Sequence, residues 1–103
     1  MTEANGFDIE AIDEVIHGRI RLGVMAYLST VGTAEFNELK AKLQATDGNL
    51  SVHLRKLEDA GYVAVDKSFV GRKPRTSISL SDDGRAAFVR YLDAMQKLVA
   101  DRT

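Results

Sequence analysis

Between Thr46 and Gly61 the sequence sets small, hydrogen-bonding and basic side chains opposite a row of leucines. At about 100° per residue on a helix, Leu50, Leu54 and Leu57 share one face and must point into a core. Gly48, Val52, Arg55 and Asp59 lie opposite, Asn49 and Lys56 flank His53 on one side, and Ser51 takes the other. Such a surface suits the major groove of duplex DNA, which admits one helix and displays donors, acceptors and thymine methyls. Gly48 and Ser51 permit close approach. Asn49, Ser51, His53 and Arg55 can reach base edges or phosphates, Val52 can pack on a thymine methyl, and Lys56 can reach a phosphate. Thr46 stands at the same end, where its hydroxyl can cap the first turn, and is counted with the contacting residues. An ordinary amphipathic helix with a solvated face shows the same pattern, and Glu58 and Asp59 would repel phosphates. Those acids lie near the C-terminal end, whereas helices that enter the groove lead with their N-terminal half.

A second concentration of chemistry follows. From Lys67 to Arg75 every charge is positive: Lys67, Arg72, Lys73 and Arg75. Gly71 and Pro74, the one proline, mark residues 71–75 as a turn. Arg72, Lys73 and Arg75 therefore project from a hairpin tip. They are either solvated there or lie along a nucleic-acid backbone or minor groove, where cations gain by displacing counterions.

No other constellation is found. His17 and His53 are far apart, with no carboxylate placed beside either; His17 is expected at a helix start. Asp82 and Asp83 are adjacent, and adjacent residues on a helix do not face each other. The glycines match no phosphate-binding fingerprint. The chain has no cysteine, which excludes disulfides, thiolate metal sites and cysteine nucleophiles. Neither an enzyme, nor a metal site, nor a cofactor is expected.

The elements that must position these residues follow from periodicity. Phe7, Ile9, Ile12, Val15 and Ile16 predict a short helix over 8–16. Ile20, Val24, Leu28 and Val31 continue it in a second run from about His17 to Thr30, stopped by Gly32. A stub of strand over 33–36 comes next, then helices over 35–43 and from Thr46 to Gly61. The β-branched and aromatic residues of 62–70 predict a strand. Ile78 and Leu80, alternating with Ser77, Ser79 and Ser81, predict its return. Ser81 before Asp82 and Asp83 is a capping oxygen followed by acids at the positive end of a dipole, opening a last helix to about Asp101. The fold class is mainly α with a small β-hairpin (α+β): a winged helix-turn-helix with flanking N- and C-terminal helices.

With 103 residues, 45% hydrophobic and 28% charged, the chain fits one soluble domain over 1–103. Its net charge of −1 conceals a separation: Glu3, Asp8, Glu10, Asp13 and Glu14 make the N-terminus acidic, against the basic hairpin. The first fourteen residues have no basic side chain, unlike a signal peptide. No apolar run approaches the roughly 20 residues that span a membrane. The expected compartment is the cytoplasm, with no membrane partner.

Residues 46–63, and above all Ser51-x-His53-Leu54-x-x-Leu57 followed by Ala60-Gly61-Tyr62-Val63, resemble the recognition-helix segment of the MarR- and ArsR-like winged-helix regulators. Leu80-Ser81-Asp82-Asp83-Gly84-Arg85 resembles the junction after the wing in the same group. The resemblance spans roughly residues 15–90. It implies a transcriptional regulator that binds double-stranded DNA as a homodimer, two recognition helices entering successive major grooves. By that resemblance Asn49, Ser51, Val52, His53, Arg55 and Lys56 are the contacting positions, with Arg72, Lys73 and Arg75 in the wing. The metal sensors of the ArsR group use cysteine ligands, which are lacking here, and larger MarR-like proteins have longer flanking helices that shape an effector pocket. No feature identifies a small-molecule effector.

The terminal segments, 1–16 and 82–103, are the expected source of a two-fold interface. Phe7, Ile9, Ile12 and Ile16 form its first part; Tyr91, Leu92, Met95, Leu98 and Val99, a stripe shared with Phe88, form its second. Such a stripe packs either wholly on its own domain or partly on a second copy. The alternative function is a winged helix used as a protein-interaction or assembly module without DNA binding, which the acidic N-terminus favours and the basic hairpin disfavours.

Overall fold

Helix α1, Arg19–Val31, buries Ile20, Val24, Met25 and Leu28 on one stripe. These are coordinates of a computed structural model, which describes residues 7–100. Glu3, the outermost residues of both terminal segments and the expected helix end at Asp101 lie outside the described residues. Gly32 stops α1 with φ 83°, a conformation that costs other residues dearly, and its amide donates to the Leu28 carbonyl at 2.7 Å. Strand β1, Thr33–Glu35, follows, and then α2, Phe36–Leu43. Gln44 adopts the left-handed conformation and closes α2. Helix α3, Asp47–Asp59, starts three residues on, with the Thr46 hydroxyl accepting from the Asn49 amide at 3.1 Å.

The hairpin pairs β2, Val63–Val70, with β3, Lys73–Leu80. The sheet order is β1-β3-β2, all antiparallel, so β3 is central and Ile78 is fully buried. The turn is shorter than the glycine and proline predict. Val70 pairs with Lys73, leaving only Gly71 and Arg72 between the strands, with Gly71 at φ 64°. Glycine at the first central position suits a two-residue hairpin. Lys73, Pro74 and Arg75 therefore belong to β3. Proline fits there because β1 reaches only to Ser77, leaving one edge of β3 open beyond it.

Helix α4, Asp82–Ala100, opens with the Gly84 amide donating to Ser81 Oγ at 2.9 Å. Its first turn lies against the backbone at the start of β2: a Cβ at Gly84 would come within 2.1 Å of the Tyr62 carbonyl oxygen. That oxygen already accepts from the Ser81 amide at 3.0 Å.

The expected helix over 8–16 does not form. A 3₁₀ turn, Ile9–Ala11, is followed by extended backbone at Ile12 and then by a second turn, in which the Ile16 and His17 amides donate to the Asp13 carbonyl. Two aspartates each open a separate turn: Asp8 caps the first, accepting from the Glu10 amide at 3.1 Å, and Asp13 opens the second, accepting from the Val15 amide at 2.8 Å. The second cap, set in the middle of the expected helix, splits the run in two. The segment is instead strapped to the body. Ile12 and Ile16 enter the core, Tyr62 donates to Asp13 at 2.5 Å, and Arg21 Nε donates to the Val15 carbonyl. His17 precedes α1 and shares a 2.8 Å hydrogen bond with the Tyr91 hydroxyl.

Candidate nucleic-acid interface

Leu50, Leu54 and Leu57 fix the roll of α3 by burying into the common core with α1 and α2. That roll leaves Gly48, Asn49, Ser51, Val52, Arg55 and Lys56 exposed, as the helical wheel predicts. Val52 is 57% exposed, an apolar side chain in the middle of a polar face. Thr46 is exposed too, with its oxygen engaged in capping. Lys40 of α2 pairs with Asp47 at 2.7 Å, bracing the turn between the two helices.

His53 is placed differently from its neighbours. It is half-buried, and its Nδ1 lies 2.8 Å from Arg21 Nη1. A guanidinium can only donate, so Nδ1 accepts and the ring is neutral with its proton on Nε2. Burial, and then the charges of Arg21 and Lys56, hold its pKa below the ordinary histidine value. One ring edge thus ties α3 to α1 and only the Nε2 edge is left for other work. Arg21 also donates to the Glu14 carbonyl at 3.4 Å, so one side chain joins the N-terminal strap, α1 and α3.

The two faces of the wing carry different chemistry, and strand register assigns them. Val63, Val65, Lys67 and Phe69 share the inner face with Leu80, Ile78, Thr76 and Pro74. Near the body this face is core. Farther out, Lys67 and Thr76 line an open cleft with Asp47, Ser51, Arg55 and Glu58 of α3. Lys73 and Arg75 alternate onto the outer face, and Arg72 occupies the turn. Arg75 Nε lies 3.2 Å from Glu35 Oε2 on β1, so this cation already has a carboxylate partner. Sequence reasoning left Lys67 out of the contacting set and did not connect Glu35 to the wing. The alternation 63, 65, 67, 69 held the signal for Lys67.

The terminal apolar residues divide. Ile12, Ile16 and Tyr91 are buried in the domain's own core, which removes them from the expected intermolecular set. Phe7, Ile9, Leu92 and Val99 are exposed, and Met95 and Leu98 are half-buried. Among the described residues no three His, Asp or Glu side chains gather as a metal site, and no helix is long and apolar enough to cross a membrane.

Two helices joined by a tight turn, followed by a hairpin that flanks the second, define a winged helix-turn-helix protein. The chain belongs to the winged helix DNA-binding domain family, whose profile matches residues 20–99. It is 39% identical over 79 residues to an uncharacterized protein of Methanocaldococcus jannaschii, MJ0432, covering 77% of this chain and 86% of that one. Among solved structures, a transcriptional regulator homologue from Pyrococcus horikoshii superposes with a TM-score of 0.80 at 31% identity, over 85% of this chain and 87% of the other. A MarR-family regulator from Silicibacter pomeroyi shares the fold at 21% identity and a TM-score of 0.62, over 84% of this chain and 56% of its own. An ArsR-family regulator, RHA00566, shares it at 23% and 0.58, over 92% and 93% of the two chains. At those identities the last two show the fold alone.

Proposed function

We propose that this domain is a sequence-reading transcriptional regulator that binds duplex DNA as a homodimer, with α3 in the major groove and the wing on the adjacent backbone or minor groove. The observation that carries this reading is the open cleft in which Ser51 and Arg55 of α3 face Lys67 of the wing, so that helix and hairpin both bring donors and cations to one opening, which Asp47 and Glu58 also line. Asn49, Ser51 and Arg55 take base edges and Val52 a thymine methyl, with Gly48 allowing the backbone to approach. His53 offers Nε2–H at the flank. Thr46, Lys56, Arg72 and Lys73 take phosphates, and Arg75 joins them only by leaving Glu35. Exposed Phe7, Ile9, Leu92 and Val99, with Met95 and Leu98, supply the two-fold contact that sets two recognition helices on neighbouring half-sites. The compartment that fits this role is the cytoplasm.

The test is selection of binding sites from a random duplex pool. Fluorescence anisotropy then compares the selected site with random DNA for wild type and Arg55→Ala. Loss of discrimination in the variant supports the assignment, because a good base contact is worth about 1–3 kcal/mol against the wrong base. Equal loss on both duplexes makes Arg55 a phosphate contact. No wild-type binding even at low salt refutes the DNA reading and moves the domain to the protein-interaction class.

A further inference from the structure

The outermost pair on the wing's inner face is apolar. Phe69 faces Pro74 across the hairpin, and Phe69 is 72% exposed. No core contact accounts for it, since the inner face leaves the body after Val65 and Ile78. Among the described residues only one other aromatic side chain is comparably bare. That is Phe7, at 63%, in the acidic segment beside Asp8 and Glu10. Phe69 has the opposite surroundings: Lys67 two residues back on its own face, Arg72 in the turn, and Lys73 and Arg75 on the returning strand. Asp66 is the nearest acid in sequence and lies on the outer face.

An exposed ring at the tip of a cationic finger fits a partner that is polyanionic outside and offers stacked, apolar surface inside. Duplex DNA has that character in its minor groove, where an apolar side chain can enter between base pairs and partly unstack them. Pro74 suits the role mechanically. It fixes its own backbone torsion and stands directly opposite the ring, a stiff backing for a wedge.

We propose that Phe69, backed by Pro74, is an apolar wedge that enters the minor groove and opens a base step while Arg72 and Lys73 hold the wing to the flanking phosphates. This rests on the DNA-binding reading above and adds a source of specificity to it. Pyrimidine–purine steps such as TA unstack most easily and A-tracts resist deformation, so the wedge favours a flexible step beneath the wing without touching any base edge.

The experiment uses the full chain and two short duplexes that share one α3 site and differ beneath the wing, one with a TA step and one with an A-tract. Phe69→Ala is expected to bind the TA duplex about tenfold more weakly, the scale of one lost aromatic–base stack, and the A-tract duplex nearly as wild type does. Its salt dependence stays unchanged because no charge is removed, and end-to-end energy transfer shows less bending. Phe69→Trp introduces the sole indole of a chain that has no tryptophan. Its emission is expected to be quenched and shielded from acrylamide on the TA duplex, whereas Val70→Trp, on the outer face, stays accessible. Wild-type affinity and bending in Phe69→Ala, or an indole at 69 as accessible as one at 70, overturns the wedge while leaving the DNA-binding reading intact. Failure of the wild-type protein to bind either duplex overturns both.

Discussion

The pairing of Arg75 with Glu35 makes the three basic residues of the hairpin unequal, and the salt dependence of DNA binding measures the inequality. Each cation that neutralises a phosphate adds about 0.9 to the slope of log affinity against log salt. Arg72 and Lys73 are exposed at the tip and, among the described residues, neither appears in an ion pair, so Arg72→Ala/Lys73→Ala is expected to flatten the slope by about 1.8. Arg75 is held 3.2 Å from a carboxylate, so Arg75→Ala alone is expected to change the slope little. Glu35→Gln removes the competing charge and frees the guanidinium, steepening the slope by about 0.9, so that an about fourfold rise in salt costs the variant roughly 3.5 times more affinity than wild type. The gain vanishes when Arg75→Ala is added to Glu35→Gln, which closes a double-mutant cycle on the pair. Anisotropy titrations on one random duplex across a salt series provide the slopes. An exposed ion pair is worth only about 0–1 kcal/mol, so DNA can in principle break it. If Arg75→Ala loses as much slope as Arg72→Ala, or Glu35→Gln gains none, the pair does not survive binding and the reasoning is refuted.

Four other outcomes follow from the packing and the ionisation of the domain. Gly84→Ala drives a methyl group into the Tyr62 backbone; a loss of about 1–3 kcal/mol or more in urea unfolding is expected, and an unchanged midpoint would contradict the close approach. All three tyrosines have pKa values raised above 10.0: Tyr27 by its hydrogen bond to Glu38, Tyr62 by its hydrogen bond to Asp13, and Tyr91 by burial. The folded state then holds protons that the unfolded chain releases, so their contribution is whole below pH 10.0 and falls as pH rises through the folded values; native tyrosinate absorbance should lag that of the unfolded chain. His53 has the opposite sign, since its lowered pKa makes its contribution complete above 6.5 and lost as pH falls through the folded value. The stability gap between wild type and His53→Gln should therefore shrink on acidification, and a gap independent of pH would show that the ring is not held neutral. Leu92→Glu/Val99→Glu places charge on the exposed half of the α4 stripe and is expected to sediment as a monomer against a dimeric wild type; a monomeric wild type removes the interface.

The parts of this fold legible in sequence are those set by local rules. Three leucines at helical spacing fix both the existence and the roll of α3, Gly32 stops α1 by its backbone freedom, and Ser81 caps α4. Periodicity failed at residues 8–16 because Ile12 and Ile16 are buried through tertiary contact while Asp8 and Asp13 bond their own backbone. Proline misled at the wing, since its missing N–H is harmless on a strand with one open edge. An apolar stripe tells that a face is covered but not by what, which is why Tyr91 and Leu92, adjacent in sequence, fall on opposite sides of the division between core and surface. The link between Glu35 and Arg75 depends on β1 lying beside β3, a matter of sheet order that no local signal carries.

Arg21 holds the strap through the carbonyls of Glu14 and Val15 and holds α3 through His53. Two segments that share a single donor group are not independent. The free energy of seating one contains part of the free energy of seating the other, and such coupling is reciprocal. A load that shifts α3 must therefore change how often residues 14–17 open, and a contact that stiffens the strap beside Phe7 and Ile9 must narrow the positions α3 can take. Amide exchange in the strap is in this sense a remote gauge of the groove-facing helix.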